Sequence, residues 1–462
     1  MKSLLVLEEI VAATQPELVG DPPARFSAVG VDSRTVEAGS LFIALPGERT
    51  DGHLFVSDAL DRGAAAALVS RTPPVAPGVA SGEVPRRKAL LMVEDSDEAL
   101  HALGRRAIEK QTAMTRIGIT GSNGKTTTKE LVGGILRLSG TAFLTPGNYN
   151  STIGIPLSVM PLERSYRYGV FEMAMNRPGE MGRLAELVRP DWALITNIGT
   201  AHIGLLGSQR GIAEEKARIA EQFDGSQTCL LPRDDGYARF LADRVKGRVV
   251  YYGEGVTPDL ESVESKGLTG SVLLWRGRRI RLRLPGRHNV HNALGALTLA
   301  VEMGIEPGIV ADGLETVEPL FGRGELIEGP VTILQDCYNA NPESVGAALE
   351  LVADSGWSGR VVLVLGPMKE LGEQGPAGHA GVVQAALSFG PQALFLYGEE
   401  FFEAYEAVGR DAGATRCSWT EDFDDLMRRV EEYVRPGDLV VIKGSRAAAL
   451  ERIGETLRKV EA

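Results

Sequence analysis

From Arg116 to Thr128 the chain reads Arg-Ile-Gly-Ile-Thr-Gly-Ser-Asn-Gly-Lys-Thr-Thr-Thr, an apolar run that passes through glycines into a lysine and hydroxyls. These are the groups a triphosphate needs. In the loop Gly121-Ser122-Asn123-Gly124 the two glycines let backbone N–H groups approach phosphate oxygens, and a helix begun by Thr126 would aim its positive end at them. Lys125 can reach the β- and γ-phosphates, and Thr126, with Thr127 beside it, offers a hydroxyl to Mg²⁺. The usual G-x-x-x-x-G-K-[ST] spacing is not met, because Ile119 stands five positions before Gly124; the loop is a shorter T-G-x-x-G-K-T-T form. Gly-Lys-Thr also arises by chance in a chain with 55 glycines, so phosphate binding rests on the strand before it and the helical pattern after it.

Other residues carry chemistry less specifically. Glu172 ends the strand pattern Tyr168–Phe171, where parallel sheets present ligands, and a carboxylate there suits Mg²⁺; pairing with a nearby Arg is the equal alternative. His202 follows the strand-like stretch from Trp192, and a lone His is more often structural than a ligand. Lys216, in Glu214-Glu215-Lys216-Ala217-Arg218, reads by spacing alone as part of a solvated helix face. Asn289 and Asn292 stand one turn apart near a helix start, able to read an adenine edge, although N-capping by Asn289 is the simpler reading. Asp336-Cys337-Tyr338-Asn339-Ala340-Asn341-Pro342 could be only an Asx-rich turn.

The elements that must position these residues fall into three blocks. At 462 residues the chain exceeds what one core supports. The first block, to about Gln111, includes a Pro/Gly-rich loop from Thr72 to Pro85. The second, from about Met114 to Glu318, alternates strands (Tyr168–Met173, Trp192–Asn197) with helices (Gly211–Phe223, Asn289–Met303), as a helix-flanked parallel sheet does. It also holds a half-exposed strand pattern from Ser271 to Leu284. The third repeats the theme with strands at Val331–Gln335, Val361–Leu365, Ala393–Tyr397 and Leu439–Ile442, after a hinge at Gly322-Arg323-Gly324. Against 49 Lys and Arg stand 61 Asp and Glu, a net charge of −12, which argues against nucleic acid as a partner. Three scattered cysteines suggest a reducing compartment, and no stretch of about 20 apolar residues predicts a membrane span. A cytoplasmic protein is expected.

In this order the motifs resemble the Mur ligases, ATP-dependent amide-forming enzymes of peptidoglycan precursor synthesis, over nearly the whole chain. The residues that carry the resemblance are Gly121 to Glu130, Gly147-Asn148-Tyr149-Asn150, Phe171-Glu172-Met173, Asp336 to Pro342, Met368-Lys369-Glu370-Leu371-Gly372 and Lys443-Gly444-Ser445-Arg446. They look most like the members that add D-alanyl-D-alanine to UDP-N-acetylmuramoyl-tripeptide through an acyl phosphate. The resemblance implies a smaller α/β N-terminal domain (1–112) for the UDP-sugar, a central P-loop-type parallel-sheet domain (113–318) for ATP, a Rossmann-like C-terminal domain (319–462), and a monomer. It implies that Glu172 and His202 hold Mg²⁺ and that Lys216 is carbamylated and helps hold a second Mg²⁺. It also implies that Asn289 and Asn292 line the adenine site and that Arg323 and Asp336 close over phosphate and ribose. Ser33 and Arg34 match the uridine-diphosphate region, and Asn148 and Asn150 belong to the substrate side. Pro367 and Ser151 depart from the common pattern, where Asp and Asn are frequent. A third-residue-adding Mur ligase, a folylpolyglutamate synthase-like ligase and a nucleotide-gated binding module remain alternatives. The long block before the phosphate loop weighs against the second, and the set Glu172, His202, Lys216 against the third.

Overall fold

A computed structural model describes residues 5–47, 50–73, 89–162, 165–408 and 413–458; most of the loop expected at Thr72 to Pro85 lies outside them. The chain separates into two compact bodies. One comprises Met1–Gly118, Thr141–Ala174 and Gly182–Pro190, and the other Ile119–Gly140, Met175–Met181 and Asp191–Ala462.

The first body is built on a five-stranded sheet in the spatial order Glu17–Val19, Ala89–Met92, Ala66–Val69, Leu41–Ile43, Val29–Gly30. Only the Glu17–Val19 pairing is antiparallel. Its central strands are continuously apolar because both faces are covered. Leu41, Ile43, Ala66 and Leu68 pack on one side with Ile10, Ala99, Leu100 and Leu103 from two helices. Phe42, Ala67 and Val69 pack on the other with Val56 and Ala59. The same body holds the parallel pair Ala142–Leu144 and Tyr168–Glu172, so Glu172 is the last residue of its strand.

A buried histidine ties this sheet's loops together. His53 Nδ1 lies 2.6 Å from Asp51 Oδ1, and Nε2 accepts the Ser70 N–H at 3.0 Å, which fixes the proton on Nδ1. Burial pushes the His53 pKa below its usual value. A group with a depressed folded pKa stabilises above its unfolded pKa and loses that contribution as pH falls through the folded value. Replacing His53 by Ala orphans the Ser70 N–H and is expected to cost about 2 kcal/mol. It should also reduce the difference in melting temperature between pH 8 and pH 5. A variant that melts like the parent at both pH values would rule this latch out.

In the second body Trp192–Ile195, Thr228–Pro232 and Arg248–Tyr252 pair in parallel. The helices Lys125–Ser139 and Pro307–Glu315 approach so closely that a Cβ on Gly134 would sit 2.6 Å from the Gly313 carbonyl oxygen. The single strand expected from Ser271 to Leu284 is instead a hairpin, Ser271–Trp275 and Arg278–Leu282, within a three-stranded antiparallel sheet. Arg276 (φ 50°) and Gly277 (φ 73°) both take the left-handed conformation of a two-residue turn, which folds the run back on itself. Alternation survives inside the second strand, with Ile280 and Leu282 buried and Arg279 and Arg281 exposed.

The C-terminal sheet has the order Glu325–Ile327, Thr332–Asp336, Leu439–Lys443, Val361–Leu365, Ala393–Tyr397, Arg416–Thr420, parallel except for its first strand. Ile333, Val362, Val364, Phe395, Val440 and Ile442 form its core with Leu426, Val430 and Leu450. Gly322 (φ 67°) and Gly324 (φ 72°) both adopt left-handed backbone before it. No helix among the described residues is long and apolar enough to cross a membrane.

Candidate active site

The strand Thr115–Thr120 delivers the chain to Gly121, and the helix Lys125–Ser139 begins one residue earlier than expected, with Gly124 (φ 80°) as its cap. Both glycines are required by contact. A Cβ on Gly121 would run into Thr196 Oγ1, and one on Gly124 into the Asn292 carboxamide. The loop is held from the end of the neighbouring strand. Ser122 N–H donates to the Asn197 carbonyl at 3.0 Å and Asn123 N–H to Asn197 Oδ1 at 2.9 Å. The Asn123 carbonyl accepts from Thr196 Oγ1 at 2.5 Å and Asn197 Nδ2 at 3.1 Å, and Ser122 Oγ accepts the Gly199 N–H at 2.9 Å. A loop fixed in this way keeps its amides oriented before any anion arrives, at the end of a helix whose dipole favours negative charge. Thr196 and Asn197 thus take a structural role that the sequence did not assign them, because the strand expected to run from Trp192 to Asn197 ends at Ile195 and frees both for the loop.

Two lysines converge on one carbonyl. Lys125 Nζ donates to the Gly121 oxygen at 2.8 Å and to that of Ser122 at 3.2 Å, and Lys216 Nζ donates to the same Gly121 oxygen at 3.0 Å. Lys216 is 1 % exposed, so it does not lie on a solvated helix face. Burial, reinforced by the Lys125 charge, holds its pKa well below the ordinary lysine value. Its helix is shorter than expected, Gln209–Ala217, because Ser208 Oγ caps it at Gly211 N–H and a 3₁₀ turn, Arg218–Ala220, follows. Next to it, buried Glu215 accepts the N–H groups of Gly179 (3.0 Å) and Met181 (2.9 Å) at the start of the helix Glu180–Val188.

Asn289 does not cap its helix. The helix runs Arg287–Glu302 with Gly286 as cap, while Asn289 Nδ2 donates to the Pro285 carbonyl at 2.7 Å and Asn292 Nδ2 to Asn289 Oδ1 at 3.2 Å. The pair is buried and stands against the phosphate-loop turn through Asn292.

His202 (φ 65°) caps the short helix Ile203–Leu206, and its Nδ1 lies 2.6 Å from Glu370 Oε2. This contact, before any other influence, holds the Glu370 carboxyl below the usual range. Backbones meet at the same place, with Gly204 N–H donating to the Glu370 carbonyl at 3.1 Å and a Cβ on Gly204 falling 2.6 Å from Gly372 N. Asp336 Oδ2 accepts from Lys443 Nζ at 2.7 Å; that nearly buried ammonium also donates to the Asn339 carbonyl at 3.1 Å. The Arg323 guanidinium stacks 3.9 Å from the Tyr338 ring centroid. The segment Asp336 to Pro342 is more than a turn, since Asn341 and Ser344 form a capping box on the helix Pro342–Asp354.

In the first body, buried Glu172 has Oε1 on the Asn150 amide at 2.8 Å and its N–H on Thr145 Oγ1 at 3.0 Å. Asn148 supports the turn, its carbonyl accepting the Asn150 N–H at 2.8 Å. Ser33 and Arg34 lie in the 3₁₀ turn Ser33–Thr35, where Arg34 pairs with Asp32 and holds that carboxyl at a pKa of about 2. Among the described residues no group of three His, Cys, Asp or Glu side chains is arranged to hold a metal. A cation here would depend on the Thr126 hydroxyl, single carboxylates and ligand phosphates, which is the donor chemistry Mg²⁺ accepts.

A phosphate loop with a buried lysine at its back, followed by a second parallel sheet, marks a nucleotide-binding α/β protein, and family comparison narrows it to an ATP-using ligase. The Mur ligase family catalytic domain matches residues 25–112, the Mur ligase middle domain 119–300, and the Mur ligase glutamate ligase domain 322–446. The chain belongs to the Mur ligase family. It is 40% identical over 458 residues, 99% of each chain, to the UDP-N-acetylmuramoyl-tripeptide–D-alanyl-D-alanine ligase of Treponema pallidum. Among solved structures, MurF from Acinetobacter baumannii superposes with a TM-score of 0.87 at 27% identity, covering 98% of this chain and 99% of that one. MurF ligase from Thermotoga maritima, in complex with ADP, gives 0.78 at 27% identity, covering 94% and 97%.

Proposed function

We propose that the chain uses ATP to join D-alanyl-D-alanine to the terminal carboxylate of UDP-N-acetylmuramoyl-tripeptide, a step in making peptidoglycan precursor. The observation that carries this is the 40% identity to the T. pallidum ligase across 99% of both chains. The division into domains 1–112, 113–318 and 319–462 is part of the reading.

The carboxylate oxygen attacks the γ-phosphorus, ADP leaves, and an acyl phosphate forms. The dipeptide amine then adds to the acyl carbon, and the tetrahedral adduct collapses to amide and phosphate, releasing a proton. Such chemistry needs positioning and neutralised charge more than covalent help from the protein. The loop Gly121-Ser122-Asn123-Gly124 would cradle the phosphates, with Lys125 turning from its own loop's carbonyls to the γ-phosphoryl group and Thr127 beside it. Asn289 and Asn292 would border the adenine, and Arg323 and Asp336 would reach phosphate and ribose. Thr126, Glu172 and His202 would hold Mg²⁺, with Lys216 as its carbamate holding a second ion; bound there, Mg²⁺ would supply positive charge to the transferring phosphoryl oxygens. A neutral buried amine is what reaction with CO₂ requires, and the depressed Lys216 pKa supports that assignment. Ser33, Arg34, Asn148 and Asn150 would serve the UDP-sugar side.

The test is phosphate release from ATP with UDP-N-acetylmuramoyl-tripeptide, adding D-Ala-D-Ala, D-Ala or glutamate in turn. Release should depend on the dipeptide, with amide appearing in equal amount. Release indifferent to every amine would count against a ligase of this kind.

A further inference from the structure

The start of the helix Pro342–Asp354, which leads out of the C-terminal sheet's strand Thr332–Asp336, is tied at one point to the phosphate loop and at a second to Thr200 in the turn beside it. Asn341, already the cap of that helix, donates from Nδ2 to Oδ1 of Asn123 at 2.8 Å, the residue whose backbone Thr196 and Asn197 hold. Two residues on, Glu343 grips Thr200, accepting its N–H on Oε1 at 2.9 Å and its Oγ on Oε2 at 2.8 Å. Thr200 follows Gly199, whose N–H donates to Ser122 Oγ in the phosphate loop, and a Cβ on Gly199 would lie 3.3 Å from the Ser122 Cβ and 3.4 Å from the Glu343 carboxyl carbon. The contacts form one chain from Glu343 through Thr200 and Gly199 to Ser122, with a second strut from Asn341 to Asn123. Nothing in the phosphate chemistry needs Glu343 itself, since an acid beside a phosphate loop opposes anion binding. Its carboxylate is spent entirely on Thr200.

We infer that Glu343, with Asn341, is a positioning residue through which the C-terminal sheet, once seated, sets the phosphate loop and the turn from Gly199 to His202. The inference rests on the ligase reading above. Its consequence is coupling. With the strut in place, the acyl phosphate forms only where the C-terminal sheet already covers it and water is excluded. Without the strut, phosphoryl transfer still occurs but the cover is loose. Water oxygen then attacks the acyl carbon and the bond from that carbon to the phosphate oxygen breaks. Carboxylate and inorganic phosphate leave, and the water's protons pass to solvent. ATP is consumed and no amide forms.

Glu343 is exposed, so its removal should leave the fold intact, and thermal melting of each variant checks this. The full-length chain is assayed for phosphate and amide together. Wild type should give a phosphate-to-amide ratio of one. In Glu343→Ala we expect a KM for ATP within about twofold of wild type, an amide kcat about tenfold lower and a ratio of about three or more. Glu343→Gln, which can still accept the Thr200 N–H, should fall between. Thr200→Val combined with Glu343→Ala should leak no more than Glu343→Ala alone, because both cut the same strut. A ratio that stays at one in Glu343→Ala overturns the inference, as does additive leakage in the double variant. Wild type that makes no amide would instead overturn the ligase reading, so the two failures are distinguishable.

Discussion

Lys216→Ala is expected to lower ligation by about three orders of magnitude, the scale on which removing a preorganised charge at a phosphoryl or acyl site acts. The expectation follows from where the structure puts this side chain. Lys216 is fully buried behind the phosphate loop, 3.0 Å from the Gly121 carbonyl, and desolvation together with Lys125 favours its neutral amine. The nitrogen lone pair can add to CO₂, losing a proton and leaving a carbamate in place of a cation. Activity should therefore rise with bicarbonate in the wild type and lose that dependence in the variant, while formate or acetate restores part of it. Lys216→Met keeps the buried stem and separates chemistry from packing; a buried polar amine costs desolvation that a thioether does not, so its melting temperature should not fall. Near-normal turnover in Lys216→Ala would remove the residue from the site.

Lys125→Ala should be comparably severe, about a thousandfold in kcat, for a different reason. Its ammonium lies over the loop's own carbonyls, 2.8 Å from the Gly121 oxygen and 3.2 Å from that of Ser122, from which it can turn to a phosphate. The check is single-turnover ATP cleavage with the tripeptide present and the dipeptide absent. If Lys125→Ala cleaves ATP at the parental rate, the lysine serves only the loop's shape.

The phosphate loop, the alternation of strands and helices and the C-terminal parallel sheet were legible because each is written locally. Gly121 and Gly124 take positive φ, 152° and 80°, a backbone that glycine signals within the turn itself, and Val361–Leu365 and Ala393–Tyr397 match their apolar runs residue for residue. Lys216 was not legible from its surroundings. Glu214, Glu215 and Arg218 read as a charged surface, yet Glu215 is turned inward to cap another helix, a contact no periodicity encodes. The Ser271–Leu284 run misled because Arg276-Gly277 carries weak turn chemistry inside strong alternation. Asn289 misled as a cap because Gly286, three residues earlier, already ends the extended backbone. Glu370 was legible only within the segment Met368 to Gly372 and Glu343 not at all, since their partners His202 and Thr200 lie far away along the chain and meet them only in three dimensions.

His202 and Glu370 share one further property: both non-glycine residues sit in left-handed backbone, at φ 65° and 69°. Each would lose strain of roughly 1 kcal/mol as glycine. Selection for heat resistance alone would therefore push these two positions toward glycine and erase the imidazole and the carboxylate together. On the Mg²⁺-ligand reading proposed for His202, thermal robustness and turnover would pull in opposite directions where these two side chains meet, and a library screened only for melting temperature would enrich glycine at both.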